Sequence, residues 1–348
     1  MPKSKRVLIL FAAALAALCS CNKGCMNKSS AWKFAFISDT QGGKGQDTAY
    51  CINKPIVDLI AADIVKEDPE LVLVGGDLVN GWLRTFGKEY SEQYAQWLDA
   101  MKPVYNAGIK VYPVRGNHDD GPERLALPPL PARLEPPLDY AEKLLKAYTG
   151  AFQNFDYIPE NGPEGHKRLT YSFTNKNAFF IALDVYKGGQ HQVALDWIER
   201  QLAANKQPHV FVYAHEPAFE VKHKDNLAFY PKERDRFWDM LGRAGCRVYF
   251  CGHDHIYNRA LVLDSAGNEI RQIIAGTGGG THRQWDGVYK NPKVKNEAHF
   301  QNLYGYILAT VDDNGVTLEW KAITDEAKGI WEVKDTFAWI LPEAAVEK

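Results

Sequence analysis

The stretch Gly252-His253-Asp254-His255 follows directly after the apolar run at 248–251, which has the composition of a buried β-strand. In an extended segment, positions i and i+2 point the same way, so the two imidazoles can face one small volume at the carboxyl end of this strand. This arrangement suits a metal ion, but His-x-His pairs also occur on ordinary solvated strands. The interpretation therefore depends on the segments that precede the motif.

Four earlier segments have the same order, an apolar strand and then a turn that carries metal-type ligands. The strands are predicted at 33–37, 71–74, 110–114 and 209–213, and the turns are Ser38-Asp39-Thr40-Gln41, Gly75-Gly76-Asp77, Arg115-Gly116-Asn117-His118-Asp119 and Ala214-His215-Glu216-Pro217. Functional groups of open sheets collect beyond the carboxyl ends of the strands. The five turns are therefore predicted to converge on one site.

Strand-like apolar runs alternate with helical patterns through most of the chain, which predicts an α/β fold with sheet buried under helices. Strands are predicted at 178–183, 247–251, 270–275, 306–311 and 317–322, and helices at 54–67, 91–107, 139–150, 190–205 and 232–244. A Pro-rich run at 121–137 excludes regular structure. It is expected to be a loop, either a surface connector or a rim over the site.

In their order along the chain, the five turns resemble the calcineurin-like metallophosphoesterase superfamily, whose pattern is Asp-x-His, Gly-Asp, Gly-Asn-His-Asp/Glu, His and Gly-His-x-His. The resemblance covers roughly 33–322, and four of the five motifs are intact. Segments 171–184 and 305–312 are most similar to the extracellular, acid-phosphatase-like members. The resemblance implies a four-layer α/β/β/α sandwich of two mixed sheets flanked by helices, with a binuclear metal site at the carboxyl ends of the strands.

The resemblance further implies two divalent or trivalent transition-metal ions that share one carboxylate. The first ion would be bound by Asp39, Gln41, Asp77 and His255, and the second by Asp77, Asn117, His215 and His253. Mixed nitrogen and oxygen ligands suit manganese, iron or zinc better than calcium. The catalytic residue would be His118, which contacts the substrate phosphate in the family and could protonate the leaving oxygen, with Asp119 or another nearby carboxylate orienting its ring.

Gln41 departs from the family pattern, which usually has histidine at this position. A glutamine oxygen can bind a metal ion, but it is a harder and weaker donor than imidazole, so the first site is expected to be looser or to favour a harder ion. Some subgroups of the superfamily carry Asp-x-Gln. Two bound ions are therefore expected, with a functional single-metal site as the alternative.

Other polar residues near these motifs have weaker signals. Arg259 is expected to pair with a carboxylate rather than to bind phosphate, and Asp184 is expected to be structural. The glycine-rich run at 276–280 lacks the Lys-Ser/Thr of a phosphate-binding loop and is expected to be a tight turn near the site. His282 and Arg283 could reach the substrate from this turn.

The function that the resemblance implies is metal-dependent hydrolysis of phosphoric esters, by a phosphatase or phosphodiesterase that uses a metal-activated hydroxide on a phosphorylated small molecule or ester. The alternative is a lipid-anchored binding protein on a phosphoesterase scaffold whose catalysis is weakened, as the Gln41 change could indicate. A zinc hydrolase of peptide or acyl bonds is disfavoured because no His-Glu-x-x-His is present. Substrate specificity is assigned to 121–137, 156–168 and 281–300.

The bulk composition is that of an ordinary globular protein and gives no sign of a nucleic-acid-binding surface. The chain has 348 residues, of which 45% are hydrophobic and 24% charged, and its formal net charge is -2. A chain of this length can bury enough surface to fold without disulfides. After its N-terminal segment, residues 32–348 are interpreted as a single metallophosphoesterase domain with a Pro-rich insertion at 121–137.

Residues 1–20 have the features of an export signal, with Lys3, Lys5 and Arg6 before an apolar core that is too short to span a bilayer. The sequence up to Cys21 resembles a bacterial lipoprotein box, so Cys21 is predicted to be lipidated and 21–31 to be a polar tether. The protein is therefore expected to be exported, as a lipoprotein at the membrane that faces the periplasm or cell exterior, or else as a secreted or periplasmic protein.

Overall fold

The computed structural model describes residues 31–43, 51–81, 88–121, 139–187 and 189–342. The predicted signal at 1–20, the tether as far as residue 30 and the Pro-rich insertion beyond residue 121 lie outside these ranges. Within them, no helix is long and apolar enough to cross a membrane. The described residues from Ala31 onward belong to one compact unit.

Thirteen strands of the described chain form two mixed sheets. The first sheet contains β1 (Trp32–Ile37), β2 (Leu71–Val74), β3 (Lys110–Pro113), β11 (Gly305–Val311), β12 (Gly315–Asp325) and β13 (Ile330–Ile340), in the order β13-β12-β11-β1-β2-β3. The second sheet contains β4 (Tyr171–Asn175), β5 (Ala178–Ala182), β6 (His209–Tyr213), β7 (Val248–Cys251), β8 (Tyr257–Leu263), β9 (Glu269–Ala275) and β10 (Val294–Phe300), in the order β10-β8-β9-β7-β6-β5-β4. The strands that precede the five turns are parallel neighbours within their own sheet.

Aromatic side chains join the two sheets face to face. Phe34 of β1 packs edge-on against Phe211 and Phe180 of the second sheet, with ring centroids 4.9 and 5.4 Å apart. Phe36, two residues further along β1, stacks on Phe250 at 5.2 Å. Alternate residues of a strand share a face, so Phe34 and Phe36 both reach the interface between the sheets. This packing fixes where the two sheets meet, and hence where their turns meet.

Helices cover the outer faces of both sheets and complete the four layers. The helices are α1 (Lys54–Glu67), α2 (Tyr90–Ala100), α3 (Lys102–Asn106), α4 (Asn117–Asp120), α5 (Tyr140–Ala151), α6 (Leu195–Ala204) and α7 (Pro231–Arg243). The buried faces of α1, α2 and α5 belong to the same core as the first sheet, whereas those of α6 and α7 pack on the second. The expected α/β/β/α sandwich of two mixed sheets is confirmed.

Several predicted element boundaries were wrong. The single helix predicted at 91–107 is two helices, because α2 ends at Ala100 and Pro103, which has no N–H to donate, lies in the first turn of α3. The helix predicted from residue 190 begins at Leu195. Strands β4, β8, β10 and β13 were not predicted. Strand β13 lies at the edge of its sheet with much of its length exposed, and charged residues at 332, 334 and 335 interrupt its apolar residues.

Candidate metal centre

The five turns meet where the carboxyl ends of β1, β2 and β3 face those of β6 and β7. Asp39, Asp77 and His215 are buried, and their ligand atoms all lie within 4.8 Å of one another. The first sheet contributes the oxygen-bearing side chains of Asp39, Gln41, Asp77 and Asn117, and the second contributes the imidazoles of His215, His253 and His255. The structure therefore brings together all seven residues that were predicted as ligands.

Four ligand atoms converge at the position expected for the second ion. Asn117 Oδ1 lies 3.1 Å from His215 Nε2 and 2.9 Å from His253 Nδ1. The two ring nitrogens are 3.2 Å apart, and His215 Nε2 is 3.4 Å from Asp77 Oδ2. Electron-pair donors that face one another this closely need either protons or a cation between them. The donor set of two imidazoles, one carboxylate and one amide oxygen fits a transition-metal ion.

The atoms expected at the first ion are also close, with Gln41 in the middle. His255 Nε2 lies 3.5 Å from Asp39 Oδ1 and 3.2 Å from Gln41 Nε2, which donates to Asp77 Oδ2 at 3.0 Å. Gln41 Oε1 is buried, and no residue that the structure describes donates a hydrogen bond to it. The two ends of an amide have the same shape, so a half-turn would place this oxygen among the ligand atoms. The residues present therefore fit a first ion too, and Asp77 lies between the two groups.

Backbone carbonyls hold two of the imidazoles in the tautomer that a metal ligand requires. His215 Nδ1 donates to the carbonyl of Gly75 at 2.9 Å, and His255 Nδ1 donates to that of Thr281 at 2.6 Å. Each ring consequently directs Nε2 toward the ligand group. His253 has the opposite orientation, because its Nδ1 faces Asn117 while its Nε2 lies 3.4 Å from the carboxylate of Asp225.

The charges of the buried ligands compensate one another. Burial alone would lower the pKa of His215, but the carboxylates of Asp77 and Asp39 raise it to about 10. Burial likewise opposes ionisation of Asp77, yet His215 and His118 bring the pKa of this carboxyl below its ordinary value. The pKa of His255 is lowered by burial, which keeps that ring neutral. A metal ion that binds here would displace the His215 proton, so binding is coupled to proton release.

The backbone of the ligand turns is held in uncommon conformations. Asp39, Asp77 and His253 have φ values of 61°, 52° and 70°, in the left-handed region that costs a non-glycine residue about 1 kcal/mol or more. A Cβ at Gly252 would collide with the carboxylate of Asp39, and one at Gly116 would collide with that of Asp77. Both glycines therefore allow the ligand turns to approach one another.

His118 lies beside the ligand group with its side chain about one quarter exposed. Its Nδ1 donates to the backbone carbonyl of Asn80 at 2.6 Å, and its Nε2 lies 4.0 Å from Asp77 Oδ2, with 23% of the side chain exposed. The expectation that Asp119 or another carboxylate orients this ring was wrong. Asp119 is buried, and it accepts hydrogen bonds from the amides of Leu78 and Gly116 and from the Tyr94 hydroxyl. It therefore stabilises the turn, whereas the Asn80 carbonyl orients His118.

A buried ion pair supports this turn from behind. The guanidinium of Arg115 donates to both oxygens of Asp184, at 2.6 and 3.1 Å, and also to Asp120 in α4 at 2.9 Å. Asp184 follows β5 of the second sheet, so the pair joins the carboxyl ends of strands from both sheets. The expected structural role of Asp184 agrees with these contacts.

Replacing Asp184 by alanine is expected to lower the free energy of unfolding by about 3–5 kcal/mol, because it leaves a buried guanidinium without its main partner. Urea denaturation of the full chain measures the change. Asp139→Ala is the matched control, since Asp139 and Lys143 are both more than half exposed and such a pair contributes less than about 1 kcal/mol. Equal losses in the two variants would contradict the prediction.

Two of the weaker sequence candidates, Arg259 and His282, have structural partners of their own. Arg259 pairs with Asp335 at 2.8 Å, as expected. His282 stacks on Tyr304, with ring centroids 4.2 Å apart, and Arg283 is exposed. In the glycine-rich run, the amide of Gly280 donates to the carbonyl of Asp39 at 2.7 Å. The run is therefore a tight turn against the first ligand turn, as the sequence indicated.

Sequence reasoning missed three groups beside the ligands. His191 Nδ1 lies 2.8 Å from the carboxylate of Glu216, next in sequence to His215. Asp225 is near the ring of His253, as described above, and Tyr186 packs beside His215. Glu216 could have been found from its place in the fourth turn, but Asp225 and Tyr186 have no local signal in the sequence.

Two mixed sheets that gather carboxylates, amides and imidazoles at one edge define a metal-binding α/β sandwich. The chain belongs to the calcineurin-like phosphoesterase family, whose model matches residues 33–257. Family membership and the ligand group together imply a binuclear metal site.

Individual relatives are distant. Tartrate-resistant acid phosphatase type 5 of Rattus norvegicus is 26% identical over 117 residues, which cover 33% of this chain and 31% of the relative. The purple acid phosphatase PPD1 from yellow lupin (Lupinus luteus) seeds has a TM-score of 0.63 at 18% identity, covering 89% of this chain and 54% of that one. The structure of PhoD has a TM-score of 0.62 at 15% identity, and the match covers 90% of this chain and 70% of that one. The match to the acid phosphatase thus spans about a third of that relative's length. The two solved structures show that the fold is shared.

Gln41→His tests whether the departure from the family pattern weakens the first site. We expect the affinity for zinc at that site to rise by about tenfold or more, because an imidazole replaces a neutral amide oxygen among the ligands. Competition with a chromophoric chelator measures this affinity. Gln153→His, at an exposed position away from the site, is the control. An unchanged affinity in Gln41→His would mean that residue 41 does not face the ion.

Proposed function

We propose that this protein hydrolyses phosphoric esters with two bound transition-metal ions. The observation that carries the proposal is the convergence of seven ligand side chains from five turns, with the partly exposed ring of His118 beside them. Membership of the calcineurin-like phosphoesterase family supports the same class of reaction. The substrate is a phosphorylated small molecule or ester, and both monoesters and diesters are compatible with these residues.

The residues divide between two ions of manganese, iron or zinc. Asp39, Gln41, Asp77 and His255 would hold the first, and Asp77, Asn117, His215 and His253 the second. When bound, such ions act as Lewis acids on phosphoryl oxygens and lower the pKa of water. The residues themselves position this chemistry, because the backbone carbonyls of Gly75 and Thr281 orient two imidazoles and burial limits the access of bulk water.

His118 is proposed to act on the substrate directly. The Asn80 carbonyl accepts a hydrogen bond from the Nδ1–H of His118, so the ring presents Nε2 toward the ligand group. In its protonated form, Nε2 donates to a phosphoryl oxygen or gives its proton to the leaving oxygen. In its neutral form, the same nitrogen has no proton to donate. The proposed turnover therefore requires the protonated form of His118, whose ring the Asn80 carbonyl holds in place.

The test is an activity panel on purified protein loaded in turn with manganese, zinc, iron and cobalt. We expect release of the aryl alcohol from an aryl phosphate, from its bis ester, or from both. Metal-free protein prepared with a chelator is the control, and activity should return when metal is added. Failure to release product with any of the four metals would refute the proposed reaction.

The alternative, a catalytically weakened binding protein on this scaffold, is less favoured. A degenerate site is expected to lose several ligands, whereas here all seven side chains still converge. Metal content in the same preparations separates the two functions. Fewer than one ion per chain together with no turnover would support the binding protein.

The proposed site of action is outside the cytoplasm. The export signal at 1–20 and the lipoprotein box that ends at Cys21 support an anchored protein that faces the periplasm or cell exterior, with membrane contact only through the lipid. The formal net charge of -2, which is close to zero, supports a small-molecule substrate rather than nucleic acid. Movement of a Cys21→Ala variant from the membrane to the soluble fraction would support the anchor, and unchanged fractionation would oppose it.

A further inference from the structure

Tyr186 has a buried hydroxyl that the fold leaves without a hydrogen-bond partner. The residue is 7% exposed, and its oxygen is shielded from solvent and hydrogen-bonded to none of the residues that the structure describes. Tyr186 follows β5, the neighbour of β6 in the second sheet, so it lies at the same sheet edge as His215. Its ring centroid is 6.5 Å from that of His215. The ring of Tyr186 is thus beside a proposed ligand of the second ion.

Other buried tyrosines in this part of the molecule have satisfied hydroxyls. Tyr148 and Tyr171 both donate to the carbonyl of Pro113, at 3.1 and 2.8 Å. Tyr213 donates to the carbonyl of Tyr112, and Tyr249 donates to that of Glu216. Buried polar groups are normally paired in this way, because an unpaired hydroxyl loses its contact with water without compensation. The unpaired hydroxyl of Tyr186 therefore needs a partner that the described part of the chain does not supply.

The surroundings make this hydroxyl a donor. Burial, and then the negative charges of Glu216 and Asp77, raise the pKa of Tyr186 well above its ordinary value, so the proton is retained. Asp120 of α4 and Asp225 beside His253 act in the same direction. No carboxylate of the described residues accepts a hydrogen bond from this hydroxyl, so its partner is an acceptor from outside them.

We propose that the Tyr186 hydroxyl donates a hydrogen bond to a non-bridging oxygen of the phosphoryl group bound at the candidate metal centre. This inference rests on the proposed function, because that function brings an anionic acceptor to the turns after β5 and β6. A phosphoryl oxygen is a strong acceptor, and a hydrogen bond to it is charge-assisted. Tyr186 is then a substrate-contacting residue on the side of His215, where sequence motifs give no indication of one.

The test is Tyr186→Phe in the full chain loaded with manganese, since phenylalanine keeps the ring and removes only the hydroxyl. We expect inhibition by inorganic phosphate to weaken about tenfold and kcat/KM for an aryl phosphate to fall about 10- to 100-fold, as for loss of a hydrogen bond to a charged group. The melting temperature should stay the same or rise, because the fold loses an unpaired buried group. Tyr171→Phe is the matched control, with a lower melting temperature and unchanged phosphate inhibition.

The outcomes separate this inference from the proposed function. If wild type hydrolyses the ester and Tyr186→Phe matches it in both phosphate inhibition and kcat/KM, the inference is overturned while the function stands. A fall in melting temperature without weaker phosphate inhibition would also overturn it, because the hydroxyl would then have a structural partner. If wild type hydrolyses nothing, the proposed function fails, and direct calorimetric binding of inorganic phosphate to wild type and Tyr186→Phe still decides whether the hydroxyl contacts phosphate.

Discussion

Asp77→Asn is expected to abolish metal binding and turnover together. Asparagine has nearly the same shape as aspartate but no charge, and Asp77 is the carboxylate that lies between the two ligand groups, 3.0 Å from Gln41 Nε2 and 3.4 Å from His215 Nε2. Two cations can bind next to each other only if the negative charge of the ligand they share offsets their repulsion. We expect metal content to fall from about two ions per chain to below one, and kcat/KM to fall by about a thousandfold or more.

Asp99→Asn is the matched control for this substitution. Asp99 lies exposed in α2, away from the ligand turns, so the variant should keep wild-type metal content and activity. Plasma mass spectrometry gives the metal content, and circular dichroism shows whether the fold is retained. A folded Asp77→Asn protein with two ions per chain would rule out the shared-ligand role of Asp77.

His118→Ala is expected to lower kcat by about 10²- to 10⁴-fold, the range for loss of a general acid, and to leave metal content unchanged. Among the described residues, the imidazole is hydrogen-bonded only to the Asn80 carbonyl, and its Nε2 is 4.0 Å from Asp77 Oδ2. Its removal therefore takes away a proton donor but none of the seven predicted ligands, and the amide of residue 118, which donates to Asp77 Oδ1 at 2.8 Å, is retained. Metal content separates this loss from that of Asp77→Asn.

His209→Ala serves as the comparison for His118→Ala. His209 is the first residue of β6, at the opposite end of that strand from the fourth turn, and its Nε2 lies 2.8 Å from the carbonyl oxygen of Asp312. Its removal should leave kcat within about twofold of wild type. Wild-type kcat in His118→Ala would exclude a catalytic role for His118.

The family and the four-layer fold could be predicted because their evidence is local. Each ligand lies within a few residues of a short apolar strand, and parallel strands bring such turns to one edge. The structure brings those seven side chains together, although their binding of metal stays a prediction. Catalysis by His118 is also still a prediction, but the group that orients its ring is now known.

What could not be predicted depends on contacts between distant segments. Tyr186 and Asp225 are adjacent to ligands only after the turns have converged, and nothing in their immediate sequence indicates this. The role predicted for Asp119 was wrong for the same reason. The group that accepts the hydrogen bond from His118 Nδ1 is the backbone carbonyl of Asn80, and no side-chain pattern in the sequence indicates such a contact. Edge strand β13 was missed because charged residues at 332, 334 and 335 interrupt its apolar residues.

The division of the ligands between the sheets links metal affinity to the core of the protein. Oxygen donors come from the first sheet and imidazoles from the second, so each ion would bind both layers at once. A smaller residue at Phe34, in the aromatic interface, would let the two sheets shift relative to each other. Such a shift would move the oxygen donors away from the nitrogen donors, although the ligand turns are far from the altered side chain. By thermodynamic linkage, metal binding would in turn favour the packed state. The metal content of a variant thus also reports how well its two sheets are packed.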